Sequence, residues 1–495
     1  MRLLNTSTLE FREFVDPPPY VILSHRWGDD EVSYEEFVLT RRPFEQLPPY
    51  LSDEVTEIRE RKGYKKILDY AARAANPLPS EDDYWLYRKL RWKNSFRFDW
   101  CWIDTCCIDK KSSAELSEAI NSMWQWYSSA SLCIVYLVDV TFCSKDETYE
   151  HLLEASKWFT RCWTLQELLA PRTLLFYTDS WTAFLVAHGT HVRWIRTGHD
   201  AHQALQDAAG IPSECIDYGT TMTYSIAQKM SWAANRQATR LEDVAYSLLG
   251  LLNINMPLLY GEGSRAFTRL QNELLRSDYD DSIFAWHFLD QTRLATLCED
   301  HQCHSQSLLA SSPDLFQGCG AVQRGQSSEH EFYVSNSVVH MELRAPAQRL
   351  VRTSYRSLYD TSKTSLYFIK LACRDLRPVE GRESGNDIAC RIVVLADERE
   401  PPIATKVIRR RIACCARPAW TNDDLDKLQW KQDRGTNVHR FDVPIATERR
   451  QGQGRIREQR TRHTSTRVDA AEKSLTQEET PCDTSTFQVN VQHVI

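Results

Sequence analysis

Tyr20-Val21-Ile22-Leu23-Ser24-His25-Arg26-Trp27-Gly28-Asp29-Asp30 begins as a β-branched, apolar run and breaks off into a glycine and two aspartates. A run of that kind, stopped by turn residues, predicts a buried strand that ends in a polar loop. Trp100-Cys101-Trp102-Ile103-Asp104-Thr105-Cys106-Cys107-Ile108-Asp109 and Arg161-Cys162-Trp163-Thr164-Leu165-Gln166-Glu167-Leu168 likewise couple an apolar run to polar or aromatic residues. An open α/β sheet keeps its binding crevice just past its strand ends, so the three segments predict one pocket assembled from distant parts of the chain.

Working outward, Leu132 to Val138 supplies another apolar strand, and between it and Trp100 to Ile103 lies a helical pattern of Leu116, Ile120, Met123 and Tyr127. Ser112 and Glu115 have capping-box spacing at its start. This β-α-β order favours a parallel sheet. Tyr64 to Tyr70 predicts a covering helix with Ile67, Tyr70, Ala71 and Ala74 on one face. Phe159 to Ala170 reads as a short helix stopped by Pro171, and Leu174 to Tyr177 as a further strand, near which the sheet closes. From about 200 to 276 the pattern turns helical, notably Leu241 to Leu252 and Ala266 to Arg276. After 310, Tyr333 to Leu343, Leu366 to Cys373 and Ile388 to Leu395 alternate as half-buried antiparallel strands do.

The chain has 495 residues, 42% apolar and 11% aromatic, enough for real cores in two or three domains. A formal charge of -7 gives no electrostatic case for nucleic acid or an anionic membrane. No stretch reaches the roughly 18 apolar residues of a spanning helix, and the N-terminus lacks the core of a signal peptide. Fifteen cysteines without a secretion signal read as reduced thiols, which places the protein in the cytoplasm. There is neither a Walker-type loop nor a dinucleotide glycine fingerprint, so nucleotide-driven switching has no seat.

Residues 20–36, together with Trp102 to Lys110 and Trp158 to Leu168, resemble the heterokaryon incompatibility (HET) domain of filamentous fungi. Met230-Ser231-Trp232-Ala233, Arg240 to Tyr246 and Met256 to Gly263 resemble the region that commonly follows it. The resemblance implies a role in vegetative incompatibility, in which fusion of unlike fungal cells triggers programmed death, with an unknown incompatibility partner. Larger members carry a nucleotide-binding switch and a sensing repeat domain, and this chain shows neither. The implied architecture is an α/β domain over 1–195, a helical annex over 196–290, a β-rich module of unknown role over 310–440 and a disordered tail over 445–495.

Ile22 to Asp30 is also similar to the first box of TIR domains, and Arg161 to Leu168 to the segment bearing their glutamate. This implies a TIR-like parallel sheet flanked by helices, and NAD as a substrate rather than a bound cofactor. Some TIR domains cleave NAD at the nicotinamide glycosidic bond through an oxocarbenium-like state that a carboxylate stabilises. By that similarity Glu167 is the catalytic carboxylate, and Ser24, Arg26, Trp27 and Asp29 line the dinucleotide's loop. Arg26 would hold a phosphate, Trp27 would stack on a ring, and Asp104 would support the crevice.

Each residue also has a plainer reading. Thr164-Leu165-Gln166-Glu167 has capping-box spacing, so Glu167 could tie down a helix start. Trp27 could be a core aromatic beside a turn, Arg26 could pair with a local acid, and Asp104 could end a strand. The alternative function is a non-catalytic death-signalling module acting by self-association. Cys106 and Cys107 with His25 suggest a thiol protease only if the base lies near a thiol. Cys298, His301, Cys303 and His304 form a compact cluster that fits no common zinc spacing. The tail arginines, Arg449 to Arg462, lack the interleaved aromatics of a nucleic-acid binder.

Overall fold

A computed structural model describes residues 1–43, 47–77, 97–141, 149–195, 197–216, 220–277, 280–286 and 309–325, and strand segments between 330 and 444. The proline-bearing, then basic and aromatic stretch at 76–98, which reads in the sequence as an irregular surface excursion, falls largely outside the described residues. So do the Cys298 to His304 cluster and the basic tail.

Val21–His25 (β3) is buried at all five positions and runs parallel to Trp100–Trp102 (β4) on one side and Leu132–Tyr136 (β5) on the other. Thr173–Tyr177 (β6) extends the parallel set beyond β5. The order β4-β3-β5-β6 therefore reads 2-1-3-4 along the chain, the doubly wound arrangement, with its switch point between β3 and β5. Parallel pairing is confined to this centre. Arg2–Asn5 (β1) and Phe11–Glu13 (β2) add antiparallel strands at one edge, and Ala183–His188 (β7) and His191–Trp194 (β8) at the other, giving eight strands. The expected all-parallel sheet closing after Tyr177 is corrected accordingly: β7 is apolar and buried, and it returns directly along β6.

Helices cover this sheet. The first three are Tyr34–Thr40 (α1), Pro49–Glu60 (α2) and Lys62–Ala75 (α3). The α3 stripe of Tyr64, Ile67, Tyr70, Ala71 and Ala74 is buried, and the Tyr70 hydroxyl lies 3.0 Å from the Val21 carbonyl and 3.1 Å from that of Trp102. Asp104–Cys107 (α4) follows β4 directly, and Ser113–Ser129 (α5) leads to β5. At the start of α5 only half of the expected box forms. Ser112 accepts from the Glu115 amide, while the Glu115 carboxylate turns to Arg2 and the Asp109 amide. Tyr149–Ala155 (α6) and a 3-10 turn at Lys157–Thr160 precede Thr164–Leu169 (α7), so the expected continuous helix from Phe159 is broken at Arg161.

His202–Ala209 (α8), Ile226–Ala233 (α9), Asp243–Tyr246 (α10) and Arg265–Ser277 (α11) follow. Of the helix expected over Leu241 to Leu252 only the α10 turn is α-helical, and the rest is irregular. The described cysteines, Cys101, Cys106, Cys107, Cys133, Cys162, Cys215, Cys319 and Cys373, are buried, and none is in a disulfide. Between 330 and 444 the described strands pair antiparallel. The stretch Tyr333 to Leu343 is shared between two of them, His330–Ser335 and Val338–Leu343. No described helix is long and apolar enough to cross a membrane.

Candidate active site

The carboxyl end of β3 puts Ser24 and His25, both buried, at the switch point, and the chain then runs into an exposed loop. The Trp158 indole donates to the Ser24 hydroxyl at 2.9 Å, and that hydroxyl donates to Glu167 Oε2 at 2.5 Å. Glu167 stands on α7, whose six residues are all buried, and is itself 6% exposed. Burial raises its carboxyl to about 8; the Asp104 charge adds to the rise, while the Ser24 bond and Arg161 oppose it.

Glu167 does not cap its helix. Trp163 occupies the N-cap with no side-chain bond, and the Thr164 hydroxyl donates to the carbonyls of Trp158 and Arg161 at 2.7 and 2.8 Å. The capping-box reading is thereby overturned, because both side chains it required are committed elsewhere.

Asp104, the first residue of α4, accepts the Trp27 indole N–H at 2.8 Å. Trp27 is 38% exposed, with Lys110 Nζ 3.6 Å from its ring centroid and the Arg161 guanidinium 5.3 Å away. Ser24, Trp27, Asp104 and Glu167 are thus brought together. Arg26 and Asp29 are exposed on the loop beyond β3, and Arg26 forms no ion pair with a local acid among the described residues.

Further neighbours to which the sequence reading gave no part in this pocket complete the site. Glu31 Oε1 accepts from the Gly28 amide at 2.8 Å and pairs with Lys66 of α3. Gly63 permits that approach, since a Cβ there would lie 2.4 Å from the Asp30 carbonyl oxygen. His25 is enclosed by Lys66, Arg161 and Lys110, and burial, reinforced by these charges, holds its imidazole well below the ordinary value. Burial also lowers Lys110, against Asp104, Cys106 and Glu31. Lys110 and Arg161 adjoin segments singled out by pattern, but only the folded geometry turns them on to Trp27.

Cys106 makes no thiol protease centre. Burial pushes its thiol up while His25 is driven towards the neutral form, the reverse of an activated thiolate and imidazolium pair. Among the described residues no group of three or more His, Cys, Asp or Glu could hold a metal ion.

Arg236 fixes the turn that delivers Arg161 and Glu167. Buried, it donates to the carbonyls of Trp232, Arg161 and Ala209 at 2.9, 3.2 and 3.2 Å, and to the Thr164 hydroxyl at 3.3 Å. Next to it the Cys162 amide donates to the Gln237 carbonyl at 2.9 Å.

A doubly wound sheet centre with a buried carboxyl, cations and an aromatic ring near the carboxyl ends of its strands defines an α/β protein of the kind that binds ligands outside those ends. Residues 86–152 of the chain match the family model "Heterokaryon incompatibility protein (HET)". That match takes in Asp104 and Lys110, while Ser24 and Glu167 lie outside it. Residues 265–355 match a domain of unknown function, DUF8212. The chain is 35% identical over 268 residues to the vegetative incompatibility protein HET-E-1 of Podospora anserina, a similarity covering 53% of this chain and 16% of that protein. No solved structure matches it significantly.

Proposed function

We propose that this chain is a cytoplasmic effector of vegetative incompatibility and programmed cell death that acts by cleaving NAD at Glu167, on a sheet of TIR-like character. The observation that carries the reading is the buried Glu167 carboxyl, hydrogen-bonded by Ser24 at the switch point and within reach of the charges of Asp104 and Arg161, with the Trp27 ring bonded to Asp104 and flanked by Lys110 and Arg161. A nicotinamide ring bears a positive charge, so its arrival favours the Glu167 carboxylate that burial alone disfavours. As the ribose C1′–N bond breaks, the electron pair leaves with nicotinamide and the charge passes to the oxocarbenium, which the carboxylate stabilises. Water then adds at C1′ and loses a proton, giving ADP-ribose. Lys110 and Arg161 take the pyrophosphate, with Arg26 at the exposed rim.

The second reading, a non-catalytic module that signals by self-association, draws on the burial of Glu167 and its bond to Ser24, as befits a folding determinant. Nicotinamide release from NAD by the purified full chain, at high concentration and beside folded Glu167→Gln, separates them. Release by the wild type alone is the expected result. A wild type that kills cells without releasing nicotinamide belongs to the second reading.

A further inference from the structure

Beside Glu167, three side chains leave buried polar atoms without hydrogen-bond partners: His25 Nε2, Glu31 Oε2 and Asp104 Oδ1. The His25 side chain is 1% exposed, and its ring lies between the two carboxylates without bonding either. Nε2 is 3.8 Å from Glu31 Oε1, and Nδ1 is 3.9 Å from Asp104 Oδ1. The other carboxylate oxygens are already engaged, Glu31 Oε1 by Gly28 and Lys66 and Asp104 Oδ2 by Trp27. Buried polar groups are normally paired, so three orphans around one imidazole mark where a ligand's own polar atoms belong.

The chemistry of the orphans narrows the ligand. Two are carboxylate oxygens, which only accept, so the ligand must donate. A cationic donor is disfavoured, because Lys66, Lys110 and Arg161 already surround His25 with positive charge. Neutral O–H donors remain, and two carboxylates on either side of one ring call for two of them on neighbouring atoms. Lys110 and Arg161, flanking Trp27 at the same mouth, suit an anionic group joined to that diol.

We propose that Glu31, His25 and Asp104 form a hydroxyl-recognising subsite that seats a ribose diol of a sugar-phosphate ligand, leaving Glu167 free to face the anomeric carbon. The inference rests on the dinucleotide reading of the crevice and assigns the sugar contacts to a different set of residues from the proposed catalytic one.

Calorimetric titration of the full chain tests it, with ADP-ribose and with the analogue lacking the 2-hydroxyl of the terminal ribose as probes. The wild type should bind the analogue roughly tenfold more weakly or worse, as expected when a charged acceptor loses its donor. Of Asp104→Asn and Glu31→Gln, which keep the shape of each side chain, the one facing the 2-hydroxyl should bind both probes within about twofold of each other, and the one facing the 3-hydroxyl should keep the preference while binding both more weakly; a preference kept in full by both variants overturns the subsite. Equal binding of the two probes by the wild type, or no binding of ADP-ribose, overturns the subsite. Nicotinamide release assayed on the same protein keeps the two ideas apart. Release without hydroxyl preference removes only the subsite, and hydroxyl preference without release removes only the hydrolase.

Discussion

Burial gives Glu167 a proton at neutral pH that an exposed glutamate would have lost, and this has a sign in stability as well as in chemistry. The unfolded carboxyl titrates near its ordinary 4.5 and the folded one near 8. Between those values the folded state holds a proton that the unfolded state has released, so stability is full below about 4.5 and is lost as pH rises towards 8. Glu167→Gln is neutral throughout and escapes that loss. Its stability relative to wild type should climb by on the order of a few kcal/mol between pH 5 and 8 and level off above. Urea denaturation of both proteins at pH 5, 7 and 9 reads the difference, and a constant offset would refute the buried-proton account. Glu167, Ser24, Trp27 and Asp104 could be picked out in the sequence because each stands at the end of an apolar run, where a crevice forms. Glu31 and Lys66 could not, nor could the place of His25 between two carboxylates, because their meaning lies in charges that meet only after α3 has packed on the loop at Asp30.

The short helix α7 would not hold its position by its own hydrogen bonds: it has six residues, no capping side chain, and a broken turn before it. Arg236 supplies the missing constraint from α9's C-terminal side. Burial lowers its guanidinium to about 10, still charged at neutral pH, and its partners are carbonyls and a hydroxyl rather than an acid. Arg236→Met would leave those carbonyls buried without donors, at a cost on the order of 3 kcal/mol, seen as a lower urea midpoint at unchanged slope. As Arg236 acts on Glu167 only by positioning α7, the same variant should lose nicotinamide release while retaining a folded far-UV spectrum. No fall in stability would show that α7 is held by its apolar packing alone. The parallel strands were plain from their buried runs, whereas β1, β2, β7 and β8 were not. β1, β2 and β8 are short and partly exposed, and β7, though an apolar buried run, takes its place only by turning back antiparallel on β6, a pairing that side-chain periodicity does not report.

Across the whole molecule, one continuous apolar core runs from Leu3 to Cys373, taking in the sheet, the helices after residue 200 and the turns at 309–322. Leu309, Phe316, Cys319 and Val322 are buried in it, and backbone there is bound to the preceding helices. The Ser225 hydroxyl donates to the Val322 carbonyl at 2.6 Å, the Gln228 amide to the Gly320 carbonyl at 2.8 Å, and Gln271 exchanges two bonds with Ala310. The annex that carries Arg236 therefore depends on chain beyond the boundary at 290 that the sequence suggests. Cutting the chain there removes Leu309, Phe316 and Val322 from the core, each worth about 1.5–3 kcal/mol, and strips the start of α9 of its bonds to Gly320 and Val322. A fragment of residues 1–290 should consequently melt well below the full chain and expose apolar surface, whereas one of residues 1–325 should keep most of the stability. Thermal denaturation of the two fragments beside the full chain decides this. Equal melting of the 1–290 fragment would mean that the sheet and its annex are complete without the turns that follow, and that Arg236 is held by α9 alone.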